Sequence, residues 1–137
     1  MPGERTLIAV IDGHDGTLTE ALEAALPEDA EPPLIITAAG AVEGAALIDE
    51  LAHARGRRAD LLLIDLGLPE GKGADLVARA RRADRLAACP IIAVGGAASS
   101  GEVRQLPGVS TLPPLRGYAD FERLSRLLRE LLELEPG

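Results

Sequence analysis

The chain of 137 residues, 47% apolar and 26% charged, has a globular composition and the size of one domain, 1–137, which excludes a disordered chain and two ordinary domains. Its formal charge of -8 and its only two aromatic side chains, Tyr118 and Phe121, exclude phosphate backbones and stacked bases as partners, so no nucleic acid is expected. One cysteine, Cys89, rules out an internal disulfide and a Cys-rich zinc site, and no apolar run approaches the roughly 18 residues of a membrane span, so a cytoplasmic protein without a membrane segment is expected.

In chain order, apolar runs at 7–11, 34–37, 61–64, 91–94 and, more weakly, 109–112 alternate with longer stretches of helical period. The runs lack in-out alternation, as expected of strands covered on both faces of a parallel sheet. The first helix is signalled by Thr17-Leu-Thr-Glu20, which has the form of a capping box, with Leu18, Ala21, Leu22 and Ala25 on one face and Pro27 beyond its end. The second runs over 42–55, with Val42, Ala45, Ile48, Leu51 and Ala52 inward and Gly56 as its C-terminal cap. The third begins after Gly73, turning Leu76, Val77 and Ala80 inward and Arg79, Arg81, Arg82 and Arg85 mostly to solvent. A fourth, short helix is expected at 100–106. The last opens on Asp120 as its N-cap and repeats Phe121, Leu124, Leu127, Leu128, Leu131, Leu132 and Leu134, a wide apolar face able to cover the sheet or to meet a partner helix or a second copy. Five β-α units with right-handed crossovers give a doubly wound α/β sandwich of three layers, strand order 2-1-3-4-5, with its crevice at the carboxyl ends of the strands.

Asp12 ends the first run and Asp65 the third, and in that strand order the two strands are neighbours, so the carboxylates converge where the chain order reverses. Carboxylates brought together repel, and a bound cation or a raised pKa relieves the repulsion. Oxygen ligands of this kind suit Mg2+. Taken singly, each aspartate also reads as a helix cap or loop residue. Cys89, with no histidine adjoining it, reads as a small buried filler.

Asp60-Leu-Leu-Leu-Ile-Asp65-Leu-Gly-Leu-Pro69-Glu-Gly-Lys-Gly73 resembles the phosphoacceptor segment of response-regulator receiver domains, in which Pro and Gly follow the acceptor Asp at four and eight residues. The order of strands and helices, Pro90 before the fourth strand and the Pro after the fifth extend the resemblance over essentially the whole chain. It implies a CheY-like, flavodoxin-like fold. It also implies two-component phosphorelay signalling, with Asp65 taking a phosphoryl group from a histidine kinase or phosphotransfer protein. Mg2+ would be held by Asp12, Asp65 and the backbone carbonyl of Gly67, weakly or not at all because Gly13 stands where the family has a second acid. Asp15 is a candidate substitute for that acid. Gly95 stands where the family has a hydroxyl residue, with Ser99 and Ser100 further along. Pro113 takes the place of a lysine, for which Arg116 is a candidate replacement, and Ser110 that of the switch aromatic. The resemblance therefore carries a second reading: a degenerate, non-enzymatic receiver that binds partners without phosphorylation through the face of the last two helices and the fifth strand.

Asp12-Gly-His-Asp15-Gly16-Thr17 is also similar to the Asp-x-Asp-Gly-Thr motif of haloacid-dehalogenase-type phosphatases, although two residues rather than one separate the aspartates. That resemblance implies an enzyme with Asp12 as nucleophile and a small phosphate ester as substrate.

Overall fold

The computed structural model describes residues 5–28, 31–53, 58–95 and 103–132. Strands β1 (Leu7–Asp12), β2 (Leu34–Ala39), β3 (Leu61–Asp65), β4 (Ile91–Val94) and β5 (Val109–Leu112) form one parallel sheet in the order β2-β1-β3-β4-β5. Helices α1 (Thr17–Ala25), α2 (Gly40–His53), α3 (Lys72–Arg82) and α4 (Tyr118–Leu131) cover it, and short 3-10 turns at Pro69–Gly71 and Asp84–Leu86 flank α3. Among the described residues no helix is long and apolar enough to cross a membrane.

The uninterrupted apolar runs are explained by two cores, one on each face of the sheet. Leu7, Ala9 and Ile11 of β1 join Leu62 and Ile64 of β3 under α2 and α3, whereas Ile8, Val10, Leu61 and Leu63 meet α1 and α4. Every residue of β1 is buried, so a polar side chain on either face would meet a core. At the exposed edge, β2 leaves Leu34 44% accessible.

The strands lie where the apolar runs place them, lengthened by one or two residues in three cases. Helix starts differ more. α1 follows Gly16, at φ 73°, so Thr17 is its first helical residue and the expected capping box does not form. α4 starts at Tyr118, and Asp120 sits in its first turn, where its carboxylate accepts a hydrogen bond from the Arg116 amide at 3.1 Å. An acid there favours the positive end of the helix without being its cap. α3 begins at Lys72, one residue before Gly73. Val42 is 86% exposed, not inward. Its expected place against the sheet is taken by Gly44, where a Cβ would stand 2.6 Å from Ile11 Cγ2, so α2 comes too close to β1 for a larger residue. In α4, Leu124 and Leu128 are fully buried, and Phe121, Leu127, Leu131 and Leu132 pack partly against the same core. This chain's own sheet thus covers much of that apolar face. Gly56, Gly96, Ser99, Ser100, Leu134 and the first three residues of the helix expected at 100–106 lie outside the described residues, and Val103 and Arg104 are helical.

The arginines of α3 are not a uniformly solvated face. Arg79 forms a two-pronged exposed pair with Asp49 of α2, at 2.6 and 2.9 Å. Arg81 donates to the carbonyls of Leu86, Cys89, Pro107 and Gly108 at 2.6–3.1 Å, tying the turns on both sides of β4, and its burial lowers its pKa. Cys89 is buried, which pushes its thiol up to about 11.

Candidate functional site

Ile11 pairs with Ile64 across β1 and β3, so Asp12 and Asp65 emerge side by side at the carboxyl edge of the sheet, where β1 lies between β2 and β3. The two carboxylates face different surroundings.

Asp12 is 3% exposed and turned toward α1. Its Oδ1 accepts the amides of Gly13 (2.7 Å) and Leu18 (3.2 Å), and its Oδ2 accepts the amide and hydroxyl of Thr19, each at 2.8 Å. Gly16, the residue before α1, has no side chain to cap the helix, and Asp12 takes over two of its open amides from six and seven residues away. Asp15 receives the Thr17 amide and hydroxyl at 3.3 and 3.2 Å. Of the two expected readings of Asp12, metal ligand and helix cap, these bonds supply the second: both its oxygens are engaged by the fold itself.

Asp65 is half-buried. The Gly67 amide donates to its Oδ1 at 2.7 Å, and its Oδ2 lies 3.3 Å from where a Cβ on Gly13 would stand. A side chain at position 13 would therefore aim directly at the Asp65 carboxylate, and glycine leaves that approach open. Burial raises the pKa of Asp65, and the charges of Asp12 and Asp15 add to the rise, while the Gly67 amide opposes it. Because the folded value is raised, this group favours folding at pH below its ordinary 3.8, and that contribution is lost as pH rises through the folded value. At neutral pH the ionised carboxylate is a net cost. Asp65→Asn will therefore raise the melting temperature at pH 7 by about 1–4 °C, the half-exposed position keeping the effect small, and the gain will shrink in acid. Calorimetry at the two pH values checks this, and a lower melting temperature at pH 7 would contradict it.

Two cavities open on Asp65. One, of about 570 Å³, is lined by Gly13, His14, Asp15, Gly67, Glu70 and Lys72, among others. The other, of about 810 Å³, lies toward α1 and α4 and includes Thr17, Gly95, Arg116 and Phe121. Gly95 has φ 85°, and a Cβ on it would stand 4.0 Å from Asp65 Oδ1. Its backbone conformation disfavours any side chain, so the missing hydroxyl at the end of β4 reflects the main chain as well as the residue. Pro113 and Arg116 are exposed, and Ser110 is a half-buried β5 residue opposite Ile92. Among the described residues no group of three or more His, Cys, Asp or Glu side chains converges to hold a metal.

No protein-family model matches the chain, and no curated protein matches it. Solved structures do. The phosphorylated cyanobacterial phytochrome response regulator RcpA aligns with a TM-score of 0.73 at 17% identity, over 97% of this chain and 98% of that one. A signal receiver domain from Clostridium thermocellum gives 0.73 at 16%, over 94% and 98%. The Mn2+-bound response regulator Rcp1 gives 0.63 at 16%, over 98% of each chain. Over nearly its whole length, the chain has the CheY-like fold of response-regulator receiver domains.

Proposed function

We propose that the chain is a receiver module of cytoplasmic two-component signalling, in which Asp65 accepts a phosphoryl group from a phosphohistidine on a histidine kinase or phosphotransfer protein. The observation that carries this reading is the state of Asp65, at the open end of β3 with Oδ1 held by the Gly67 amide and Oδ2 turned to the gap at Gly13. In the transfer, Oδ2 attacks the phosphorus and a P–O bond forms. The P–N bond breaks with its electron pair left on the imidazole, which leaves in its neutral form because its other ring nitrogen carries a proton, and Asp65 becomes an acyl phosphate. The Gly67 amide orients the nucleophile and stays within reach of Oδ1, the carbonyl oxygen of the new acyl phosphate.

For a divalent cation, Asp65, Asp15 and the Gly67 carbonyl supply oxygen donors of the right type, while Asp12 is committed to α1. Mg2+ takes one or two carboxylates and retains several waters, so these residues fit a weakly held, hydrated ion. Bound there, it would neutralise charge on the phosphoryl oxygens. Without an acid at Gly13 or a hydroxyl at Gly95, labelling is expected to be slow.

A second reading, a module that binds partners without phosphorylation, is favoured by the absence of a hydroxyl at Gly95 and of an aromatic at Ser110, which leaves no side-chain relay from Asp65 to β5 among the described residues. The phosphatase reading is disfavoured, because both oxygens of Asp12 are taken by amide and hydroxyl donors. Incubation with acetyl phosphate and Mg2+, followed by intact-mass measurement, separates the readings. One phosphoryl group is expected on the native chain and none on Asp65→Asn. An unlabelled native chain, or a label that survives the substitution, would overturn Asp65 as acceptor.

A further inference from the structure

Lys72 is the only lysine in a chain whose other thirteen basic residues are arginine. It is exposed, it is the first residue of α3, and it lines the same cavity as Asp65, His14 and Glu70. Helix stability does not explain its position, since a cation in the first turn opposes the helix dipole. Among the described residues it joins no ion pair, whereas Arg79 of the same helix is paired with Asp49.

The local backbone brings this lysine to the rim of the cavity that Asp65 also lines. Glu70 (φ 61°) and Gly71 (φ 70°) are both left-handed, and this double bend turns the chain from Pro69 into α3. A left-handed glutamate is strained, and such strain gathers where position matters. The next residue after Lys72, Gly73, presses on the end of β3: a Cβ there would stand 2.7 Å from Leu66 Cα and would overlap the Asp65 carbonyl oxygen. Lys72 is thus one residue from a direct contact with the Asp65 backbone, and it lines the Asp65 cavity as well as a second one toward Arg79 and Arg82.

Resting on the reading of Asp65 as acceptor, we infer that Lys72 supplies the cation that contacts the phosphoryl group as it passes to Asp65. The positive charge that the resemblance locates after β5, where Pro113 stands, would enter from the α3 side. The ammonium offsets charge on the equatorial oxygens without forming a covalent bond or giving up its proton. A lysine suits this role because its charge is compact and its stem adjusts to the oxygens' positions.

The test compares initial rates of phosphoryl incorporation from acetyl phosphate with Mg2+, on the whole chain, followed by intact mass. Lys72→Ala and Lys72→Gln are each expected to slow labelling about tenfold, and Lys72→Arg to recover most of the rate because it restores the charge. Arg82→Ala, which removes a cation from the far end of α3, is expected to label at the native rate. Labelling of Lys72→Ala and Lys72→Gln within about twofold of native overturns the inference while Asp65 stands. A loss on Arg116→Ala with Lys72→Ala unaffected does so too, and moves the cation to the other cavity. A native chain that takes no label overturns the reading of Asp65, and the inference with it.

Discussion

Asp12→Ala will destabilise the protein by about 3 kcal/mol, the sum of a lost helix cap and of donors left without partners in a buried site. Two effects compete. Removing the Asp12 charge relieves its repulsion of Asp65, worth about 1 kcal/mol under the water-like screening of a site open to solvent. Against this stand the amides of Gly13, Leu18 and Thr19 and the Thr19 hydroxyl, which lose their acceptor at the start of α1. The second effect wins, and for a chain of this length the melting temperature will fall by about 10 °C. Asp12→Asn, which keeps one carbonyl oxygen as acceptor, will lose roughly a third of that. Thermal melts in the presence of a chelator decide the matter by sign. If Asp12 served only as an open metal ligand, its removal from the metal-free protein would stabilise it.

Gly73→Ala will cost about 2–4 kcal/mol despite the better helix propensity of alanine, which by itself favours the substitution by about 1 kcal/mol. The new methyl group would meet main-chain atoms of Asp65 and Leu66, and none of these can rotate away as a side chain would. α3 must shift off the end of β3. Gly71→Ala is the useful contrast: it meets nothing within 4 Å, so its cost comes only from a left-handed backbone, about 1 kcal/mol. Denaturant melts of the two variants rank these effects, and a Gly73→Ala protein as stable as the native one would contradict the close approach of α3 to Asp65.

These two residues show what the sequence does and does not disclose. The strands were legible because burial on both faces leaves a continuous apolar run that little else in a chain of this composition imitates. Asp65 was legible through Pro69 and Gly73 at fixed distances from it, and the contact of Gly73 with the Asp65 carbonyl gives that spacing a physical cause. The cap reading of Asp12 stands in the sequence only as an alternative to the ligand one, because hydrogen bonds to Leu18 and Thr19 depend on how tightly the intervening turn folds back. A signal was present, though: only Gly-His-Asp-Gly separates this aspartate from the helix, which leaves its carboxylate within reach of the first amides. Helix starts were misplaced where a glycine precedes the helix, as at Gly16, Gly71 and Gly117, since a cap without a side chain leaves no residue-type signal. Arg81 reads in sequence as one of four similar arginines, and only the fold brings to it the carbonyls of Leu86, Cys89, Pro107 and Gly108 that distinguish it.

The measurement closest to the centre of this account is a titration of the isotopically labelled chain with beryllofluoride and Mg2+, followed by backbone amide resonances. If the Asp65 carboxylate is a free nucleophile between Gly67 and the gap at Gly13, the amides of Gly13, Gly67 and Gly95 will move to new positions, and Asp65→Asn will abolish the change. Unmoved resonances at saturating beryllofluoride, or the same shifts in Asp65→Asn, would mean that this carboxylate does not take up a phosphoryl group.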